Sequence, residues 1–143
     1  MNKEWARFNK LNRRQDELYH QFAVKAKISD SQFWVLYALC ENGGSLNQRS
    51  FCDKWSSSKQ TVNAAVAGLQ KSGLICLEFA EGSRKQKEIR LSEQGEEFVQ
   101  HHILPVMEAE CEVIMTLDEK QRTQFMDTMD RLLELMEEKR KSL

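Results

Sequence analysis

The sequence of 143 residues predicts a mostly α-helical protein with a small β-hairpin. Apolar residues recur at spacings of three and four through most of the chain, which is the period of an amphipathic helix. Between residues 74 and 91 the pattern changes to short apolar and alternating runs, which are typical of strands. The chain contains one proline and six glycines, so its composition permits long helices.

The first two predicted helices lie before residue 45. Helical spacing of apolar residues predicts a helix over residues 3–26. A second helix begins after Ser29, because Ser29 and Gln32 together have the pattern of a capping box. The sequence Asn42-Gly43-Gly44 is a strong helix breaker, so we expect the second helix to end there.

The middle of the chain predicts two more helices separated by a turn. Asn47 is a favourable N-cap for a short helix. The serines at 56–58 predict a turn, and Ser58 can cap a further helix from residue 59 to about residue 72. Gly73 ends that helix.

A hairpin and two more helices complete the predicted chain. Residues 74–79 and 87–91 predict two strands joined by a polar, basic turn. Ser92 opens a long helix, and Pro105 should kink it because proline breaks the helical hydrogen-bond pattern. Asp118 begins a last helix.

This order of elements is that of a winged helix-turn-helix, in which a β-hairpin forms the wing. We expect residues 28–91 to form this region. Two short helices and an exposed hairpin bury little surface alone, so residues 1–27 and 92–143 must complete the core. Apolar stripes on these end segments would pair with a second copy of the chain, which predicts N- and C-terminal dimerisation helices.

The net charge of −1 conceals an uneven distribution along the chain. Residues 45–91 carry 8 basic and 4 acidic groups, whereas residues 92–143 carry 6 basic and 13 acidic groups. A basic middle region is typical of nucleic-acid binding.

Several classes of protein are disfavoured by what the sequence lacks. The four cysteines show no CxxC spacing, which argues against a disulfide framework or a zinc knuckle. The chain has no apolar run of about 18 residues and no apolar stretch near its start, so we expect a cytoplasmic protein without a membrane span. The signature motifs of hydrolases, phosphate-binding loops and dinucleotide-binding folds are absent, so neither an enzyme nor a cofactor is predicted.

Four segments resemble the corresponding segments of MarR-family transcription regulators, in the same order. They are Ile28-Ser-Asp-Ser-Gln-Phe-Trp-Val-Leu, Ser58-Lys-Gln-Thr-Val-Asn, Leu69-Gln-Lys-Ser-Gly-Leu-Ile and Ile89-Arg-Leu-Ser-Glu-Gln-Gly. The resemblance extends from about Ile28 to Leu135. It implies a winged helix-turn-helix homodimer that binds near-palindromic operator DNA, often as a repressor that a small molecule, metal or oxidant releases.

The predicted helix from residue 59 would be the recognition helix, with its N-terminal part in the major groove. Glutamine and asparagine can make bidentate contacts to adenine, and lysine can reach guanine or phosphate. Hydroxyl groups can donate hydrogen bonds to phosphate. The candidate DNA contacts on this helix are Ser58, Lys59, Gln60, Thr61 and Asn63.

The tip of the wing supplies the other candidate DNA contacts, Arg84, Lys85 and Lys87. An arginine here can enter a narrow minor groove, where the negative potential is concentrated. The family's wing usually has an aspartate two residues before an arginine, and Ser83 stands where that aspartate would be. The acid that braces the arginine is therefore missing, and we expect a looser wing.

The middle of the recognition helix departs from the family pattern. Many members carry basic residues where Ala64 and Gly68 stand. We therefore expect little direct base readout, with DNA shape and phosphate contacts dominating. The same feature favours an alternative, a winged-helix protein-interaction module with little DNA specificity.

Tyr19, Trp34 and Tyr37 are candidates for an effector pocket, because each joins an apolar body to a polar group. The resemblance implies a pocket in the cleft between the dimerisation helices and the winged region. Packing in the core is the alternative for any one of these residues.

A zinc- or oxidant-sensing regulator is a further alternative. The four cysteines lie on or beside apolar stripes, where we expect them to act as small buried apolar residues. Adjacent His101 and His102 point about 100° apart on a helix, so they do not form a ready pair of metal ligands.

Overall fold

The computed structural model describes residues 1–55 and 57–143. These residues form seven helices and three short strands, so the predicted class, mostly α with a small β wing, is confirmed. The elements are α1 (Lys3–Ala26), α2 (Asp30–Glu41), β1 (Ser45–Asn47), α3 (Gln48–Lys54), α4 (Lys59–Lys71), β2 (Ile75–Phe79), β3 (Lys87–Leu91), α5 (Glu93–His102), α6 (Leu104–Met115) and α7 (Glu119–Arg140). Of the predicted turn at 56–58, Ser56 lies outside the described residues.

Helix α2 is the centre of the core. Ser29 Oγ accepts a hydrogen bond from Gln32 N at 3.2 Å, and Gln32 Oε1 accepts one from Ser29 N at 3.0 Å, so the predicted capping box is present. The apolar face of the helix, including Phe33, Leu36 and Leu39, is fully buried. It packs against both α1 and α4.

The wing is part of a three-stranded antiparallel sheet with the order β1-β3-β2. Ile89 of β3 lies opposite both Leu46 of β1 and Leu77 of β2. The two predicted hairpin strands are confirmed, whereas β1 was not predicted. Leu46 and Ile89 are both buried, so β1 joins the wing to the core.

The junction between the wing and α5 is closely packed. Ser92 Oγ donates a hydrogen bond to the Gly73 carbonyl at 2.5 Å and accepts one from Gly95 N at 3.0 Å. Ser92 N donates to the Leu74 carbonyl at 3.1 Å. A Cβ at position 95 would overlap the Leu74 carbonyl oxygen, so this position requires glycine.

The long helix predicted from Ser92 is divided at the proline into α5 and α6. The N–H of Ile103 still donates to the Val99 carbonyl at 2.9 Å, and the carbonyl of Ile103 accepts from Val106 N at 3.0 Å. Pro105 lies in the first turn of α6, where its missing N–H breaks no helical hydrogen bond. The predicted interruption is thus confirmed, in the form of a break between two helices.

The chain divides into two compact units, Met1–Val106 and Met107–Leu143. In the second unit, Asp118 and Gln121 form the predicted capping box of α7. No residue of α7 is buried in the described single chain. The large apolar side chains that this unit exposes are Val113, Ile114, Met115, Leu117, Phe125, Met126, Leu133, Leu135, Met136 and Leu143.

The cysteines depart in part from expectation. Cys40, Cys52 and Cys76 are half-buried, but Cys111 is exposed on α6 of the described chain, so the expected burial is wrong for Cys111. Burial raises the pKa of the Cys40 thiol above its ordinary value, with a further contribution from Glu41. None of the described helices combines the length and apolar character needed to cross a membrane.

Candidate nucleic-acid interface

Helix α4 has one buried and one exposed face. Its apolar residues Val62, Ala65, Val66 and Leu69 are buried. The candidate contacts Lys59, Gln60, Thr61 and Asn63 are all exposed. Because the apolar face of α4 is buried, the candidate DNA contacts on its other face remain exposed.

The first turn of α4 is closed by two hydroxyl groups. Ser58 Oγ accepts a hydrogen bond from Thr61 N at 3.1 Å, as predicted for an N-cap. It also donates to Thr61 Oγ1 at 2.7 Å. The Ser58 proton is therefore used inside the cap, while the Thr61 hydroxyl keeps its own proton for an outside acceptor.

A side chain of α3 reaches the exposed face of α4. Gln48 Nε2 donates to Asn63 Oδ1 at 2.5 Å. The sequence did not single out Gln48, which was only the residue after the predicted cap Asn47. The contact depends on how α3 packs against α4, and no spacing within the sequence indicates it.

Gly68 has a structural role on the same helix. A Cβ at this position would overlap the side-chain nitrogen of Gln32. Gln32 cannot easily move away, because its Oε1 is held by the capping box of α2. Gly68 thus leaves room for the end of the Gln32 side chain between α4 and α2.

The wing tip is closed by Ser83. Its Oγ accepts hydrogen bonds from Lys85 N at 3.2 Å and Gln86 N at 3.1 Å. Ala80 N donates to the Gln86 carbonyl at 2.8 Å, which closes the base of the turn. In place of an acid that braces an arginine side chain, a serine here braces the backbone.

The basic side chains of the wing face solvent. Arg84, Lys85 and Lys87 are exposed, and within residues 1–55 and 57–143 none of them forms an ion pair. Arg90, in contrast, lies 3.2 Å from a Glu78 oxygen and 3.5 Å from a Glu88 oxygen. Within the described residues, no acidic side chain neutralises the positive charge of the wing tip.

The three candidate effector residues lie together. The ring centroids of Tyr19 and Trp34 are 4.7 Å apart, and those of Trp34 and Tyr37 are 5.4 Å apart. Trp55 extends the group, with its centroid 5.2 Å from that of Trp34. The sequence placed Trp55 on the short helix and did not connect it with this group.

An ion pair joins α1 to the start of α2. His20 Nδ1 lies 2.8 Å from Asp30 Oδ1. The hydrogen bond that His20 donates to the Asp30 carboxylate, and the negative charge of Asp30, raise the pKa of His20 above the ordinary value, with a smaller contribution from Glu17.

The two adjacent histidines have separate partners. His101 Nδ1 donates to the Glu97 carbonyl at 2.8 Å, while the ring of His102 lies 4.5 Å from that of Phe98. Among the residues that the structure describes, no three His, Cys, Asp or Glu side chains group closely enough to hold a metal ion.

A helix-turn-helix with an exposed polar helix beside a basic hairpin defines a winged helix-turn-helix, a class of DNA-binding fold. A model of the MarR family matches residues 26–86. The sequence finds no match among the curated proteins.

Several solved structures have a similar fold over most of their length. NMB1585, a MarR family regulator from Neisseria meningitidis, is 26% identical, with a TM-score of 0.79 over 97% of this chain and 96% of that chain. The S. aureus MepR–DNA complex is 18% identical, with a TM-score of 0.73 over 95% and 98%. PcaV from Streptomyces coelicolor, in complex with its natural ligand, is 19% identical, with a TM-score of 0.64 over 87% and 89%. The predicted resemblance is therefore confirmed: residues 26–86 match the MarR family, and the fold of nearly the whole chain is similar to that of a MarR family regulator.

Proposed function

We propose that this chain is a cytoplasmic, ligand-responsive repressor that binds a near-palindromic operator in double-stranded DNA as a homodimer. The observation that carries the proposal is the two-sided packing of α4. Its apolar face is buried, which leaves Lys59, Gln60 and Asn63 exposed in its first turns. MepR, which has a similar fold, has been solved with DNA.

The candidate contacts in the first turns of α4 each have a proposed role. Gln60 and Asn63 contact base edges in the major groove, and Lys59 reaches a guanine or a phosphate. Thr61 donates to a phosphate, and Ser58 supports it through their hydrogen bond. These contacts set both the position of the protein on DNA and part of its sequence preference.

The wing supplies the second contact region. Arg84 enters the minor groove, and Lys85 and Lys87 neutralise phosphates beside it. The hydrogen bonds to Ser83 Oγ close the backbone turn that carries Arg84 and Lys85. Binding through the wing should depend strongly on salt, because each phosphate contact releases counterions.

The end segments, residues 1–27 and 92–143, form the dimer, and residues 28–91 form the DNA-binding winged region. Trp5, Leu11 and Leu18 of α1 are half exposed in the single chain, and so is Phe125 of α7. Burying such side chains against a second copy is favourable by about 25 cal/mol per Å². A dimer places its two recognition helices about 34–36 Å apart, in successive major grooves.

The response to a ligand is proposed to involve Tyr19, Trp34 and Tyr37. PcaV has a similar fold and has been solved with its natural ligand. A ligand that binds better to a dimer with another spacing of its recognition helices shifts the population away from the DNA-bound state.

Selection from a random duplex library, followed by affinity measurements at several salt concentrations, tests the proposal. Lys59→Ala should weaken binding by about 1–3 kcal/mol if the lysine contacts a base, with a relaxed preference at that position. Arg84→Ala should weaken binding at every sequence and lower the salt slope by about one. Lys71→Ala, at the other end of α4, is the matched control. Unchanged affinity in both variants contradicts the proposed site, and a library without any enriched sequence favours a protein-interaction module.

A further inference from the structure

A cavity of about 200 Å³ lies inside the winged region, between the start of α2, the end of α3 and the start of α4. Trp34, Phe51 and Trp55 line it together with the buried Val62. Asp30 and Thr61 are among its polar lining residues. Tyr19 and Tyr37 do not line this cavity, so it is distinct from the proposed effector group, with which it shares only Trp34.

The volume indicates a small occupant. An apolar cavity of about 150 Å³ can accommodate benzene. The present cavity therefore has room for one six-membered ring with a short substituent. A larger ligand would require the three helices to separate.

The lining rings favour an aromatic or cationic group. The centroids of Trp34 and Trp55 are 5.2 Å apart with their planes 37° apart, and Phe51 stacks on Trp55 at 5.7 Å. Aromatic rings pack well against a further ring. The faces of tryptophan also attract cations, and the attraction grows as water is excluded.

Asp30, whose side chain is 57% exposed, favours a cationic occupant. It is the one charged residue among those described as lining the cavity. Its Oδ1 pairs with His20, and a carboxylate has a second oxygen that accepts hydrogen bonds. At the two helix starts beside the cavity, Ser29 and Ser58 accept hydrogen bonds from Gln32 N and Thr61 N.

We propose that this cavity is a binding site for a small aromatic amine, with its ring against Trp34, Phe51 and Trp55 and its ammonium group at Asp30. A bound amine would also affect α4, because Thr61 lines the cavity and forms a hydrogen bond with the N-cap Ser58. The amine should therefore disturb the first turn of the recognition helix. Only the expected effect of the amine on DNA binding rests on the proposed function.

Benzylamine, benzyl alcohol and benzoate are probes of matched size that differ in charge. In a Trp5→Phe background, emission from Trp34 and Trp55 reports binding, and calorimetry measures it independently. Benzylamine should bind with a dissociation constant on the order of 0.1–1 mM, as expected for eight non-hydrogen atoms. Benzoate should bind at least about tenfold more weakly, because Asp30 repels it. Equal binding of benzoate and benzylamine by the native chain would overturn the proposal.

Two variants locate the ammonium group. Asp30→Asn should weaken benzylamine binding about tenfold and leave benzyl alcohol unchanged, since only the charged contact is removed. His20→Gln is the control that keeps the carboxylate, and it should retain or strengthen benzylamine binding. Undiminished benzylamine binding by a folded Asp30→Asn protein contradicts the assignment. The comparison of probes with the native chain remains decisive if a variant fails to fold.

The consequence for DNA is measured separately. Benzylamine near saturation should weaken binding to the selected duplex at least about threefold, which is a small part of the range typical of allosteric coupling. If benzylamine binds by fluorescence but does not weaken duplex binding, the amine site is supported and its proposed effect on DNA binding is contradicted. A chain that binds benzylamine but no duplex would contradict the proposed function and leave the amine site standing.

Discussion

Gln48 Nε2 donates a hydrogen bond to Asn63 Oδ1 across 2.5 Å and so joins the first turn of α3 to the exposed face of α4. The amide of Asn63 is therefore oriented before any ligand arrives. Bidentate recognition of adenine requires an oxygen acceptor and an amide donor in one plane. A neighbour that fixes this plane reduces the side-chain entropy lost on binding.

Gln48→Ala should lower the affinity for the selected operator by about 1–2 kcal/mol, because Asn63 loses its orienting partner. Discrimination should relax at one base position in each half-site. Binding to a set of operators with single base substitutions measures both effects. Gln70→Ala, which removes an exposed glutamine further along α4, is the control. Retained discrimination in Gln48→Ala would show that the hydrogen bond has no role in readout.

The wing gives a second prediction. Ser83→Ala removes the hydroxyl that accepts from Lys85 N and Gln86 N, so the tip should become more mobile. Duplex affinity should fall by about 0.5–1.5 kcal/mol, the usual contribution of a hydrogen bond, while thermal stability changes little. Ser83→Thr keeps a hydroxyl and should bind like the native chain. Equal losses in the two variants would mean that the turn cap is not the cause.

Gly68 and Gln32 should be energetically coupled. Glycine within a helix is less favourable than alanine by about 1 kcal/mol, so Gly68→Ala alone could be expected to stabilise the fold. The new Cβ would instead displace the Gln32 side chain and disturb its capping box. We expect no net stabilisation in Gly68→Ala and a gain of about 1 kcal/mol when the same change is made in Gln32→Ala.

Denaturant unfolding of the four proteins in this cycle measures the coupling. Ala67→Gly, an exposed position beside Gly68, calibrates the helix propensity in the same helix. Equal effects of Gly68→Ala in the two backgrounds would show that Gln32 does not restrict position 68.

The helix boundaries were predictable because their signals are local. A cap such as Ser29, Ser92 or Asp118 is defined by residues within four positions of it, and each of these caps is present. Strand β1 was missed for the opposite reason. Its three residues are too few to show an alternation, and they are extended because they pair with β3, far along the chain.

The candidate interface also contains features that the sequence predicts and features that it does not. Exposure of Lys59, Gln60 and Asn63 follows from the period of α4, which the sequence shows. The contact of Gln48 with Asn63 and that of Trp55 with Trp34 each join two helices. Such contacts depend on how closely two helices pack. The apolar pattern within one helix does not predict this distance.

The link between α1 and α2 should depend on pH through His20. Asp30 raises the pKa of His20 in the folded chain above its ordinary value of about 6.5. The folded state therefore binds the proton more tightly than the unfolded state does. The stabilisation is complete below about pH 6.5 and is lost as the pH rises through the raised pKa. Native protein should thus lose more stability than His20→Gln between about pH 5.5 and pH 8.5.

Asp30→Asn and Glu17→Gln separate the causes of the raised pKa. Asp30 supplies both the hydrogen bond and the larger charge effect, so its removal should return the titration midpoint of the His20 ring protons close to the ordinary value. Glu17 contributes least, so Glu17→Gln should lower the midpoint only slightly. Unfolding is compared at one protein concentration, because association would itself shift the apparent stability. A His20 midpoint that is the same in native protein and Asp30→Asn would show that the ion pair is not formed in solution, and no pH dependence of the α1–α2 link would then be expected.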